Sequence, residues 1–254
     1  IRFFVPPIGR SYGRSGIIAS LRALELSEAE VILPAYTCAV MPKSVVASGN
    51  HPAFVDINLD DYTMDVDALK RSLTPQTRVI AVTHLYGYPS DIDTIRAAVA
   101  DENVIILEDC AQGLPYFSPG GSRLRGDLGL FSFGPGKTLC TVQGGIIVTN
   151  SSDLYERIKA YRDKEMNQPS AMVWAKRWAW FLASYLVFRQ PAYSLRHRYR
   201  HRIRSAAESR SNFDPSLEDI PGDIDIKYAD FQSRIGLTQL GKLDEILAKR
   251  RAIV

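Results

Sequence analysis

The feature that most constrains this chain is a pattern repeated between Val31 and Asn150: a short aliphatic run, a turn, then apolar residues at helical spacing. Strand and helix alternating in this order specify a doubly wound α/β sheet, because a chain that crosses over as a helix re-enters the sheet in the same direction. The expected strands are Val31–Pro34, Ala53–Asp56, Val79–Thr83, Val104–Glu108, Leu128–Phe133 and Gly145–Thr149. Several are unbroken apolar runs, as parallel strands are when helices cover both faces. Between them Ala39–Ser48, Val66–Ser72, Asp91–Ala100 and Asp153–Asp163 read as helices, with Asp65 and Ser90 or Asp91 as N-caps. The fold class is therefore α/β, with a mostly parallel central sheet and helices on both faces. Sheets of this kind bind ligands beyond the carboxyl ends of their strands.

At 254 residues and 46% hydrophobic content the chain buries a sizeable core. Residues 1–163 read as a large ligand-binding domain, 164–224 as a basic and aromatic insertion with a linker, and 225–254 as a helical extension. The insertion opens with Met172–Leu195, rich in Trp, Tyr and Phe, and continues into the basic run Arg196–Arg204. As a helix, Met172–Phe188 sets Trp174, Trp178, Phe181, Tyr185 and Phe188 on one face, a stripe that needs a cover of protein or lipid. Its apolar core, Trp178–Phe188, is eleven residues, short of the roughly 20 that span a bilayer. An acidic linker, Asp214–Asp225, leads to a helix expected from about Tyr228 to Ala252.

The formal net charge of +3 is unevenly placed: Lys176 to Arg210 carries nine Lys or Arg against one acid, Glu208. The rest of the chain is mildly acidic, so no nucleic-acid partner is indicated. Cys38, Cys110 and Cys140 are odd in number and widely spaced, which specifies neither a disulfide framework nor a metal site and suits a reducing cytoplasm.

Chemistry concentrates at three places. The run Val104-Ile-Ile-Leu-Glu-Asp109-Cys-Ala-Gln112 ends a buried strand in two acids. A lone strand-end acid is usually a cap, but Asp109 is also well placed to hold a protonated pyridine nitrogen, as in pyridoxal phosphate. Glu108 points the other way by alternation. Downstream, Gly126-Asp-Leu-Gly-Leu-Phe-Ser132-Phe-Gly-Pro-Gly-Lys137 carries a lysine into a glycine-rich turn among Phe131, Phe133 and Leu139, surroundings that favour loss of its proton and Schiff-base formation. Ser132 offers a hydroxyl to a phosphate, or to its own backbone. Third, Ser11-Tyr-Gly13-Arg-Ser15-Gly16-Ile17 is a small-residue turn opening into a helix, an anion site or simply a cap.

Together these pieces resemble the DegT/StrS-type sugar aminotransferases, of the aspartate-aminotransferase-like fold. The most specific stretches are Pro34-Ala-Tyr-Thr-Cys38, Phe54-Val-Asp-Ile57, His84-Leu-Tyr-Gly87, Glu108-Asp-Cys-Ala-Gln112, Gly126 through Lys137, and Gln232 through Arg251. The resemblance implies pyridoxal 5'-phosphate as cofactor and Lys137 as the Schiff-base lysine. It makes Asp109 the pyridinium partner, Gln112 a contact on the ring's 3-hydroxyl side, Ser132, Gly16 and Ile17 phosphate contacts, and His84 the histidine near the cofactor. The implied substrates are a nucleotide-linked keto sugar and an amino-acid donor, glutamate, with a homodimer completing the site. A dehydratase of the same family is disfavoured, since there a histidine replaces the lysine.

The chain also departs from the pattern. Ile17 stands where the helix start is expected to carry Thr, Cys38 where an aromatic ring often covers the cofactor, and Asp225 where an Asn usually arrives from a partner subunit. The family continues past the point where this chain stops into a smaller C-terminal domain. These departures favour the alternative, a relative that keeps the fold and acts as a scaffold or regulator. For the insertion, two readings stand: a packed helical lid or dimer surface, or weak contact with an anionic membrane.

Overall fold

The computed structural model describes residues 13–114, 124–134, 136–141, 143–187 and 225–252. The chain divides into two compact units, Ile1–Gln168 with Asp223–Val254, and Pro169–Gly222.

The first unit holds six strands: β1 (Glu30–Pro34), β2 (His51–Val55), β3 (Thr77–Thr83), β4 (Ile105–Asp109), β5 (Leu128–Ser132) and β6 (Gly145–Thr149). All six expected strands are present, in the order β2-β1-β3-β4-β5-β6, parallel except for β6, which runs antiparallel to β5. Alternation explains why the strands are apolar throughout. Val31, Leu33, Val79, Ala81 and Leu107 join one buried cluster, with helices α1 (Arg14–Ala23), α2 (Val40–Ala47) and α5 (Ser152–Glu165) against it. Ile32, Ile80, Val82 and Ile106 join a second, under α3 (Val66–Ser72) and α4 (Ile92–Ala98). A strand buried on both faces has no position for a polar residue until it reaches an end.

Asp65 caps α3 by accepting the Ala68 N–H at 2.7 Å. Asp91, not Ser90, caps α4, with Thr94 N–H at 3.1 Å. The helix expected to run unbroken from Tyr228 to Ala252 is two helices, α7 (Asp230–Leu240) and α8 (Leu243–Arg251). Gly241 divides them: it terminates α7 with its N–H on the Leu237 carbonyl at 3.1 Å, and glycine inside a helix costs about 1 kcal/mol.

The second unit contains α6 (Ala171–Val187). Its aromatic stripe is visible in the ring contacts Trp174–Trp178 at 5.8 Å and Trp178–Phe181 at 5.7 Å between centroids. Phe188, the basic run to Arg204 and the acidic linker before Asp225 lie outside the described residues. Among the described residues no helix is long and apolar enough to cross a membrane, and the three cysteines are free thiols.

Candidate functional site

The strand order reverses direction between β1 and β3, so the crevice beyond their carboxyl ends is where a doubly wound sheet binds its ligand. Four chain segments leave the sheet there: Tyr36–Cys38 after β1, His84–Gly87 after β3, Cys110–Gln112 after β4 and Phe133–Lys137 after β5. The start of α1 belongs to the same edge, because Gly13 packs against Gly145, the residue paired with Ser132.

Glu108 and Asp109 part company by strand parity. Glu108 shares the direction of Ile106 and is sealed from solvent. One of its carboxylate oxygens accepts the backbone N–H groups of Arg125, at 2.8 Å, and Gly126; the other meets His84 Nε2 at 2.8 Å. His84 is fully buried, and its Nδ1 accepts the Ser90 N–H at 3.1 Å, so the ring proton sits on Nε2 and points at Glu108. The histidine is thus built into the frame below the crevice. Cys110 lies beside this pair, its Sγ donating to the Glu108 carbonyl at 3.6 Å. The His84, Glu108 and Cys110 ligand atoms gather within 4.8 Å, but all three are engaged with protein groups. Burial, with the two neighbouring acids, pushes the Cys110 thiol well above its ordinary value, and the three side chains form one packed network.

Asp109 shares the direction of Leu107 and has a different environment. Its side chain accepts the Ala111 N–H at 2.9 Å. Burial pushes the carboxyl above the usual carboxylate range, against the opposing pull of that N–H and of the nearby Lys137 and His84. Lys137 enters this field from a turn that it closes itself, its N–H on the Gly134 carbonyl at 3.1 Å, with Gly136 at φ +85° between them. Gly136 supplies the positive φ that this turn requires. Ser132 is half-buried at the end of β5, just before this loop.

Gly16 and Ile17 lie in the first turn of α1, which begins at Arg14 with Gly13 as its N-cap, and both N–H groups point to the Gly13 carbonyl, at 2.9 and 3.3 Å. The first-turn positions preceding them are Arg14 and Ser15. Gly16 is small for packing, since a Cβ there would stand 3.0 Å from Ile147 Cδ1 and 3.2 Å from Leu130 Cδ1. Gln112 is exposed, and its Oε1 accepts the Tyr86 N–H at 3.2 Å. This bond steadies Tyr86 in the left-handed region, φ 52°, a conformation a bulky residue keeps only when held. Its amide nitrogen is what Gln112 retains to offer a ligand.

Sequence reasoning missed the rim. The Tyr36 and Tyr86 hydroxyls meet at 3.0 Å, the Tyr36 and Tyr62 rings lie 5.8 Å apart, and Thr37 bonds Thr83 across the β1–β3 crevice at 2.9 Å. The exposed Cys38 follows directly. A separate cavity of about 220 Å³, lined by Leu114, Phe131, Phe133, Leu139, Tyr228 and Leu240 among others, offers an apolar wall without Asp109 or Lys137 and does not suit an anionic ligand.

A doubly wound sheet with a buried strand-end acid in the field of a turn lysine is the arrangement expected of a pyridoxal-phosphate-type α/β fold. The DegT/DnrJ/EryC1/StrS aminotransferase family model matches residues 8–254, and the chain belongs to that family. It is 34% identical over 159 residues, 61% of this chain and 43% of the relative, to a UDP-N-acetyl-3-dehydro-alpha-D-glucosamine 3-aminotransferase of Acidithiobacillus ferrooxidans. It is also 34% identical to a GDP-perosamine synthase of Escherichia coli O157:H7, over 58% of this chain and 41% of that one. The chain thus spans less than half the length of these curated relatives. Among solved structures, Streptomyces venezuelae DesV in complex with a ketimine intermediate superposes with a TM-score of 0.55 at 32% identity, covering 61% of this chain and 43% of DesV. NtdA of Bacillus subtilis with bound PMP gives 0.57 at 31%, covering 63% and 36%. An aminotransferase from Psychrobacter cryohalolentis covers 96% of this chain and 54% of its own at 0.65 and 24% identity, a likeness of fold.

Proposed function

We propose that the chain supplies the cofactor-binding part of an aminotransferase that moves an amino group, from glutamate, onto a keto sugar carried by a nucleotide. The observation that carries this reading is Asp109: a buried carboxyl, raised by desolvation, in the field of Lys137. A carboxyl in that position lacks only a close cationic partner, and a pyridinium N–H supplies one, so the residues present fit pyridoxal 5'-phosphate. When bound, that group serves as an electron sink for carbanion chemistry. Membership of an aminotransferase family and the sugar-specific relatives support the choice of reaction and substrate class.

The residues then take the following parts. Asp109 keeps the ring nitrogen protonated. Lys137 Nζ would hold the cofactor and would take up the proton from the donor's α-carbon. Gln112 would present its amide nitrogen on the 3-hydroxyl side, and Cys38 would border the cofactor. Ser132 and the first turn of α1, with Gly16 and Ile17, receive the phosphate. His84 acts from behind through Glu108 and its effect on Asp109.

The site is completed as a homodimer, with the segment from Asp225 to Tyr228 near the two-fold axis; light scattering at twice the chain mass tests this. For the stripe on α6 and the basic run after it, a packed lid or dimer surface is the favoured part, with weak contact with an anionic lipid surface as the alternative. The central test is borohydride reduction with pyridoxal phosphate followed by peptide mass spectrometry. Reduction onto Lys137, with amino transfer from glutamate to a nucleotide-linked keto sugar, is expected. Reduction at another lysine sinks the assignment, and trapping without transfer favours the scaffold alternative.

A further inference from the structure

The loop that carries Lys137 does not satisfy its own backbone. Lys137 N–H and Thr141 N–H find carbonyls within the hairpin, those of Gly134 and Phe133. Beyond them the loop depends on a helix about a hundred residues later. Gln239 of α7 pairs with Cys140 through both ends of its carboxamide: Oε1 accepts the Cys140 N–H at 2.9 Å, and Nε2 donates to the Cys140 carbonyl at 2.6 Å. Two turns earlier, Gln232 Nε2 donates to the carbonyls of Thr141, at 3.2 Å, and Gln143, at 3.0 Å. Tyr228 hydroxyl donates to Thr141 Oγ1, which itself donates to the Gln143 carbonyl at 2.8 Å.

The spacing is that of one helix face: Gln232, Gly236 and Gln239 stand at i, i+4 and i+7. Gly236 between the two glutamines makes the approach possible, because a Cβ there would lie 3.3 Å from Thr141 Cγ2. The grip extends to both sides of Cys140. Leu139 is buried against Leu243 and Leu247 of α8, and Arg250 reaches the Lys137 carbonyl at 3.4 Å. Backbone groups withdrawn from water need partners, and here side chains on one face of α7 supply them in place of a strand.

We infer that Gln239 and Gln232 are positioning residues for Lys137: by pairing with the backbone of Cys140, Thr141 and Gln143 they fix the loop at the height that sets the lysine against Asp109. This rests on the reading of Lys137 as the cofactor lysine. It assigns α7 a part in the site that its position far along the chain does not suggest.

Gln239→Met tests it, preserving the length and apolar stem of the side chain while deleting both hydrogen bonds. In the cofactor-free full chain, the Cys140 amide exchanges hydrogen at least about tenfold faster in the variant, as expected of an amide that has lost its acceptor, while β5 and β6 amides keep their protection. With pyridoxal phosphate, the pH midpoint of the visible absorption of the Lys137 adduct shifts, and the cofactor dissociates about tenfold more readily, the loss of roughly one hydrogen bond's worth of placement. Gln239→Glu, which keeps the acceptor and loses the donor, falls between. Gln232→Met gives the same direction, and melting temperatures show that each variant is folded. Wild-type exchange and an unmoved midpoint in a folded Gln239→Met overturn the positioning role. Borohydride trapping in the wild type separates the two ideas: failure to modify Lys137 removes the cofactor reading and the positioning role with it, whereas trapping with an unchanged Met variant removes the positioning role alone.

Discussion

His84 Nε2 and the Glu108 carboxylate meet at 2.8 Å with both side chains sealed from solvent, and the same carboxylate holds the chain where it re-enters the sheet at Arg125 and Gly126. One acid therefore organises three donors, two of them buried. Glu108→Ala leaves all three without that acceptor and is expected to cost about 1–3 kcal/mol for each buried donor left unsatisfied. Urea unfolding of the cofactor-free chain measures it. A loss below about 1 kcal/mol, the level of a single neutral hydrogen bond, would show that water replaces the carboxylate.

Asp109 behaves oppositely. Its folded value lies above the ordinary 3.8, so the folded chain binds this proton more tightly than the unfolded one. The associated stability is complete below the unfolded value and is lost as pH rises through the folded one. Asp109→Asn is therefore expected to stabilise the cofactor-free chain at neutral pH, with the advantage disappearing at about pH 3.8 and below. The same substitution weakens cofactor binding by roughly 10- to 150-fold, the equivalent of a charge-assisted hydrogen bond of about 1.5–3 kcal/mol. Unfolding curves across pH and a cofactor titration read the two effects; a variant less stable at neutral pH contradicts the first.

Gly16 packs tightly against the sheet, and that contact sets the cost of a side chain there. Gly16→Ala pushes a methyl onto Ile147 and Leu130 and is expected to cost about 1–3 kcal/mol as overpacking. The loss should be equal with and without saturating cofactor. A penalty that appears only with cofactor would place the cost at the phosphate contact instead.

For α6, the lipid alternative predicts weak sedimentation with anionic vesicles that fades as salt rises, since each basic residue near such a surface adds about 1 kcal/mol and is screened. Trp174 and Tyr185 are about half exposed on that helix. Identical behaviour with neutral and anionic vesicles would leave the stripe as a packing surface between protein elements.

What the sequence disclosed and what it concealed follow from the same physics. Strands buried on two faces write themselves as unbroken runs, so Ile32, Ile80 and Ile106 marked the sheet before any coordinates, and strand parity already separated Asp109 from Glu108. Gly16 left its packing unread, because a glycine chosen for close helix–sheet contact has the same letter as one chosen for a helix start. Gln112 holding the left-handed Tyr86 was invisible, since backbone strain at a tyrosine has no sequence signature. Gly241 inside the last helical stretch was a legible break that the strength of the surrounding pattern obscured. Gln232 and Gln239 looked like ordinary helix residues; their spacing of seven was the available clue.

The pairing of Cys140 with Gln239 spans 99 positions, which has a consequence for synthesis. A ribosome delivers the strands of the sheet in order, and each finds its neighbour soon after it emerges, but the lysine loop meets its partners only when α7 has left the exit tunnel. Until then the backbone of Cys140 and Gln143 faces water, and the nascent chain carries a nearly finished sheet with an unfinished turn. Competence to capture the cofactor is thus scheduled late, after the whole of the intervening insertion has been made.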